Sequence, residues 1–156
     1  MKGYKMQVKY SDLKNKRIFI TGGGSGIGAS IVEHFCEQGS EVYFVDIDLK
    51  ETKKLLNKIK KKKFRTPILI EFNLIVVNKL EKKNKSINYK KWPIQPLINN
   101  AANDDRHTTD QVDEKYWENR MAINLKHYFF AAKAVVKSMK KMKAGSIVNL
   151  SSVSWM

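Results

Sequence analysis

The chain has 156 residues, 42% of them hydrophobic and 29% charged. That is enough apolar sequence to bury a core, yet no single run is long enough to span a bilayer, so one domain over residues 1–156 with no membrane partner is expected. Lys and Arg outnumber Asp and Glu by 30 to 15, giving a formal charge of +15 and excluding an acidic protein. Only four of the basic residues are arginine (Arg17, Arg65, Arg106 and Arg120), whereas phosphate and guanine recognition draws on the bidentate guanidinium. The lysine excess therefore reads as a solvating surface, and no nucleic-acid partner is expected. Cys36 is the single cysteine, which excludes an internal disulfide and a cysteine-built zinc site. With no secretory pattern between Met1 and Lys16, a cytoplasmic protein is expected.

The predicted elements alternate along the chain. Arg17 to Thr21 is a β-branched and aromatic run that enters a glycine cluster, the pattern of a buried strand leading into a tight turn. A helix from Gly26 to Gln38 follows, with Ile27, Ile31, Val32 and Phe35 at helical spacing and Gly39 placed to end it. Glu41 to Ile47 reads as a second strand, followed by a helix from about Leu49 carrying Leu55, Leu56 and Ile59. Pro67 to Glu71 is a third strand, Val76 to Lys85 a weaker lysine-rich helix, and Pro96 to Asn99 a fourth strand.

One long helix is predicted from about Asp113 to Lys143. Trp117, Met121, Leu125, Tyr128, Ala132, Val135, Met139 and Met142 step by three or four along a single face. Ser146 to Ser151 is the fifth strand. Strands separated by helices of this length pair in parallel through right-handed crossovers. The expected fold is an α/β Rossmann-type three-layer α/β/α domain with sheet order 3-2-1-4-5.

The strand-to-helix turn reads Thr21-Gly22-Gly23-Gly24-Ser25-Gly26-Ile27-Gly28. Glycines there allow a tight turn, close approach of a pyrophosphate to the backbone and close packing of helix on sheet, while the free N–H groups and helix dipole favour an anion. A dinucleotide site is expected on that context. Asp46, eighteen residues beyond Gly28, ends the second strand, where a carboxylate accepts the adenosine ribose hydroxyls and repels a 2′-phosphate. NAD is therefore expected over NADP, with no Arg or Lys adjoining Asp46 or replacing Ser25. An ordinary strand-end turn aspartate is the alternative, and Asp48 offers a second carboxylate nearby.

Asn124 falls within the apolar stripe of the long helix, where an amide must find partners or cost a few kcal/mol. It is either a satisfied core asparagine or a functional one. The run Lys58 to Lys63 is read as a solvated helix end, Cys36 as a core thiol, and His34 and His127 as helix residues without spaced partners, so no metal is expected. His107, Arg106 and Asp104 follow the fourth strand, where a polar loop and a ligand-contacting loop are both admissible. Trp155 either lines a pocket or is a plain chain-end residue.

Four motifs in order carry a resemblance: Thr21-Gly22-x-x-x-Gly26-x-Gly28, Asn99-Asn100-Ala101-Ala102, Asn124, and Ile147-Val148-Asn149-Leu150-Ser151-Ser152. Together they resemble the short-chain dehydrogenase/reductase family from about Lys16 onward. The loop Asn100 to His107, with Ser152-Val153-Ser154-Trp155, resembles its branch that oxidises aldoses such as xylose, arabinose or galactose.

The resemblance implies that Thr21, Gly22, Ser25, Gly26, Ile27, Gly28, Asp46, Asn73, Asn100 and Ala101 form the cofactor site. Asn73 stands where the family usually has an adenine-contacting aspartate, and Ala102 where it usually has glycine. The resemblance further implies that Asn124 holds a water in a proton relay and that Ser152 bonds the reacting oxygen, with Ser151 the neighbouring alternative. The substrate is then a small alcohol or sugar, and the complete enzyme a homo-oligomer. The family's Tyr-x-x-x-Lys pair would fall about a dozen residues past Ser152, beyond Met156, so a C-terminally truncated member is expected, either a fragment of a longer active enzyme or a product that ends here and is inactive. A non-catalytic dinucleotide-binding module is the alternative, and a basic binder of nucleic acid or an anionic surface is a third reading.

Overall fold

The computed structural model describes residues 8–70 and 94–152. Five parallel strands form one sheet in the order β3-β2-β1-β4-β5, as the alternating pattern predicts. The strands are β1 (Arg17–Thr21), β2 (Glu41–Val45), β3 (Ile68–Leu69), β4 (Pro96–Asn99) and β5 (Ser146–Asn149). The helices are α1 (Gly26–Glu37), α2 (Leu49–Lys61), α3 (Glu114–Met121) and α4 (His127–Met142), the last two joined by a π-helical turn over Ala122–Lys126.

Strand alternation sends side chains to two separate cores. Ile18, Ile20, Val42, Phe44 and Ile98 point to one face and pack with Val32 and Cys36 of α1 and Leu55 and Ile59 of α2. Phe19, Val45, Ile94 and Leu97 point to the other face, against Ala131, Val135 and Met139 of α4. The sheet is thus covered on both sides, giving the three expected layers. Helix starts follow their caps: Asp48 Oδ1 accepts from the Glu51 N–H at 3.0 Å to open α2, and Asp113 Oδ1 accepts from the Tyr116 N–H at 2.6 Å to open α3. Gly39, with φ +78°, lies just past α1 and lets the chain turn into β2.

Several expectations need correction. The second and fifth strands are shorter than predicted, because their pairing ends with β1 at Thr21 and with β4 at Asn99, and the third pairs with β2 over Ile68–Leu69. Ile27 is 68% exposed and does not join the core. The lysine run is not wholly solvated, since Lys58 and Lys62 both reach Glu33 of α1, the first at 2.7 Å. Burial acts to raise the Glu33 pKa, but the hydrogen bonds and charge of these two lysines outweigh it and hold the carboxyl below its ordinary value.

The single long helix is two helices and a π turn; its buried face is Ala122, His127, Ala131, Val135 and Met139, which shares only Val135 and Met139 with the predicted stripe. Trp117, Met121 and Leu125 face solvent. The predicted helix over 76–85, along with Asn73, Ser154 and Trp155, lies outside the described residues.

Candidate functional site

Parallel strands bring their C-terminal ends to one edge of the sheet. The glycine turn after β1, Asp46 after β2, Asn100 to Asn103 after β4, and Ser151 and Ser152 after β5 all lie along that edge.

The glycine turn divides its labour by residue. Gly22 has φ +65°, and a Cβ there would stand 2.8 Å from the Ala101 Cα. A Cβ on Gly28 would stand 1.8 Å from the Gly22 carbonyl oxygen and 2.5 Å from Asn100 Nδ2, so α1 can seat on the turn only through a bare backbone. Gly26 is the opposite case: φ is +52°, and among the described residues nothing lies within 4 Å of its would-be Cβ. Ser25 occupies the N-cap of α1, but its side chain makes no capping bond. The first bond from the cap is the Ala29 N–H to the Ser25 carbonyl at 3.0 Å, leaving the N–H groups of Gly26, Ile27 and Gly28 without intrahelical acceptors. An open, positive helix terminus beside exposed backbone is an anion cradle.

Asp46 borders this cradle. Its Oδ2 accepts from the Gly24 N–H at 2.7 Å and its Oδ1 from the Asp48 N–H at 2.8 Å, so the carboxylate both braces the turn and stays partly open to solvent. Asp48 is committed to capping α2. Ile47, which sequence reasoning did not single out, is 76% exposed beside Asp46. Only its position after the strand-end carboxylate could have signalled it, since an exposed apolar residue there has no packing reason.

Thr21 and Asn100 form the floor of the site. The Thr21 hydroxyl oxygen accepts from the Asn100 N–H at 3.0 Å and the Ala101 N–H at 3.1 Å, while Asn100 Nδ2 donates to the Thr21 and Gly22 carbonyls at 3.1 and 2.8 Å. Thr21 is fully buried, and its hydroxyl shapes the turn. On the far side of Thr21 lies His127, also fully buried, with Nε2 3.4 Å from the hydroxyl. Desolvation pushes the His127 pKa down to about 4, against the smaller opposing influence of the Ile123 backbone.

Asn124 is exposed rather than held in a core stripe. The π turn aims its amide at the loop after β4, where Oδ1 accepts from the Asn103 N–H at 2.8 Å and Nδ2 donates to the Asn103 carbonyl at 2.9 Å. Its side chain is therefore paired with both main-chain groups of one residue. A cavity of about 420 Å³ opens alongside, lined by Asn103, Asp105, His107, Tyr116, Arg120 and Asn124 among others. The Tyr116 hydroxyl lies 2.7 Å from His107 Nδ1, and Arg120 pairs with Asp105 at 3.0 Å while stacking over the Tyr116 ring. That hydrogen bond with Arg120, aided by one from Asn103, holds the Asp105 carboxyl below its ordinary value. Ser152 is exposed just past β5; the preceding segment is fixed by the Leu150 N–H on the Asn99 carbonyl and the Tyr128 hydroxyl on the Leu150 carbonyl, both at 2.9 Å.

The family model for short chain dehydrogenases matches residues 16–155. The chain belongs to the short-chain dehydrogenase family. It is 36% identical over 148 residues to the protein named "Probable galactose dehydrogenase GalD" of Rhizobium meliloti, covering 95% of this chain and 58% of that one. It is 37% identical over 146 residues to a D-xylose 1-dehydrogenase of Caulobacter vibrioides, covering 94% of this chain and 57% of the relative. The chain thus spans a little over half the length of these curated relatives. In fold it is similar to a metagenomic short-chain oxidoreductase solved in complex with NADP, with a TM-score of 0.83 at 21% identity over 92% of this chain and 65% of that one. The family binds NAD(P) at its Rossmann fold, and the residues at the sheet edge fit such a group: an uncapped helix terminus, an open glycine and a bordering carboxylate. No helix among the described residues is long and apolar enough to cross a membrane.

Proposed function

We propose that this chain forms the single dinucleotide-binding domain of an NAD-dependent oxidoreductase acting on a CH–OH group of an aldose sugar. The observation that carries the reading is the pairing of the uncapped α1 terminus, with Gly26 bare to solvent, and Asp46 at the neighbouring strand end. Gly22, Ser25, Gly26, Ile27 and Gly28 line the pyrophosphate path; Asp46 takes the adenosine ribose, and Ile47 flanks it. Asn100 and Ala101 hold the turn in shape from beneath. Asn73 is kept as an adenine contact on the motif alone.

The relative of known fold carries NADP, so the fold itself does not choose between the two dinucleotides. The choice rests on Asp46, whose charge opposes a 2′-phosphate. The bound nicotinamide supplies a hydride acceptor. Ser152 bonds the reacting oxygen, and Asn124 fixes the Asn103 loop that borders the substrate. The neighbouring cavity presents a carboxylate, a guanidinium, an imidazole and a phenol, a set that suits several hydroxyl groups at once. No Tyr-x-x-x-Lys follows Ser152 within the 156 residues, so proton transfer is assigned to no residue of this chain. Tyr10 and Lys14 have the spacing but precede β1, at the opposite sheet edge. Self-association and a cytoplasmic setting belong to the same proposal.

Titration calorimetry of the chain with NAD and NADP tests the site. NAD should bind more tightly, and Asp46→Ala should narrow the difference. Tighter NADP binding by the unmodified chain would overturn the role of Asp46. Joined to a C-terminal segment carrying Tyr-x-x-x-Lys, the chain should form NADH with xylose or galactose, and Ser152→Ala should slow it. A joined enzyme inert on every sugar but active on another alcohol would discard the aldose reading.

A further inference from the structure

Hydrogen-bond accounting at Thr21 leaves one proton unassigned. A hydroxyl has two acceptor sites and one donor hydrogen. Both acceptor sites of Thr21 Oγ1 are taken by the backbone N–H groups of Asn100 and Ala101, and the residue is sealed from water. Its hydrogen must find an acceptor within the protein or leave a buried donor unmet. His127 Nε2, 3.4 Å away and equally buried, stands on that side. Accepting there requires the neutral ring with its proton on Nδ1. That atom is itself buried, with no well-aligned partner among the described residues, and the Ile123 backbone is a polar group that acts on the ring.

We propose that His127 is a positioning residue for the dinucleotide site, its Nε2 accepting the Thr21 hydroxyl proton and so orienting that hydroxyl to hold the Asn100–Ala101 backbone beneath the glycine turn. Three elements meet in this chain of contacts. α4 supplies His127, β1 supplies Thr21, and the segment after β4 supplies two amides, while Asn100 in turn grips the Gly22 carbonyl at 2.8 Å. Without the imidazole acceptor the hydroxyl hydrogen has no partner, and turning it toward either amide costs one of the bonds that Oγ1 accepts. The Asn100 side chain then loses its fixed base, and the turn that α1 packs against through Gly28 loosens.

The inference rests on the reading of the glycine turn as a dinucleotide site, and the tests separate the two. In the unmodified chain, imidazole nitrogen NMR at neutral pH should find His127 with Nε2 unprotonated and Nδ1 bearing hydrogen. A proton on Nε2 overturns the proposal whether or not NAD binds. By calorimetry, His127→Leu should weaken NAD binding about fivefold or more, the worth of one buried neutral hydrogen bond. His127→Gln, whose amide oxygen can occupy the Nε2 position, should restore binding to within about twofold of the unmodified chain on the same reasoning.

A mere packing role predicts the reverse order, with Leu tolerated and Gln damaging, and that result overturns the proposal. Thr21→Val removes the acceptor of both amides as well as the donor to His127, so it should weaken NAD binding more than His127→Leu does, and adding His127→Leu to it should cost nothing further; an added loss overturns the proposal. If the unmodified chain binds no NAD, the site reading fails, and amide exchange decides the contact by itself. Faster exchange at Asn100 and Ala101 in His127→Leu than in His127→Gln supports it, and equal exchange overturns it. If His127→Leu does not fold, the tautomer and the Gln and Thr21→Val affinities carry the decision.

Discussion

Acid should unfold this protein partly through one imidazole. Unfolded, His127 takes up a proton near its ordinary pKa of 6.5; folded, burial holds it neutral down to about 4. Between these values the unfolded chain binds more protons, so stability falls as pH falls. The contribution is complete above pH 6.5 and lost by about pH 4. At about 1.4 kcal/mol per pH unit the gap amounts to about 3 kcal/mol, of which about 2 kcal/mol is gone by about pH 5. Glu33 and Glu41 have lowered pKa values and shed stability only at lower pH, as their carboxylates take up protons. Burial raises both, but Lys58 and Lys62 outweigh it at Glu33, and Tyr43 and Arg17 at Glu41. Urea unfolding followed by circular dichroism from pH 7.5 to 4.5, for the unmodified chain and His127→Gln, isolates the histidine. The unmodified chain should lose about 2 kcal/mol more than the variant between pH 7 and 5. Parallel profiles would show that His127 is not held neutral by the fold and would refute the reasoning.

The two helix-entry glycines should separate folding from binding. Gly28→Ala drives a methyl into the Gly22 carbonyl and should cost about 3 kcal/mol in urea unfolding as well as abolishing NAD binding. Gly26→Ala meets open space, so it should cost only the positive-φ penalty of about 1 kcal/mol while still impairing NAD binding in calorimetry. Asp46→Ala frees the Gly24 N–H and should lower the unfolding midpoint as well as narrowing the NAD preference. Val148→Lys, on an edge strand whose residues are all exposed, should reduce concentration-dependent association in sedimentation; unchanged association would place the contact elsewhere.

The sheet was legible in the sequence because two-sided burial leaves short apolar runs, and Gly22 after β1 and Asp46 after β2 mark where those strands leave the sheet. The run Ile18-Phe19-Ile20 feeds both cores, so its continuous hydrophobicity is what a central parallel strand requires. The motif also led to the glycine turn. It could not separate residues that line the site from those that brace it, since Thr21 and Asn100 carry the same polar signature as a ligand contact. Their partners lie about 80 residues apart in the chain, with Ala101 bonding Thr21 at |i−j| = 80, and no local pattern reports such a contact. His127 was passed over for the same reason. A lone helical histidine has no sequence partner, and its spatial partner is a threonine at the end of β1.

The long helix shows how a periodicity can hold on one side of an irregular turn and fail on the other. Apolar residues spaced by three and four between Trp117 and Met142 describe one continuous stripe only if every turn is α-helical. The wider π turn over Ala122–Lys126 inserts one extra residue into that count, so the face on the sheet runs Ala122, His127, Ala131, Val135, Met139. The step of five from Ala122 to His127 is the turn itself. Upstream of it and within it, the stripe positions Trp117, Met121 and Leu125 are left in solvent, where they join Phe129 as apolar surface that helix packing on this sheet does not use. The same insertion does the positional work of the site. It sends Asn124 outward to grip the Asn103 peptide and His127, three residues later, inward to Thr21. A regular helix would carry these two residues too near one face to reach both. The register irregularity that defeats the sequence pattern is thus what lets one helix hold the loop after β4 and the turn after β1 together.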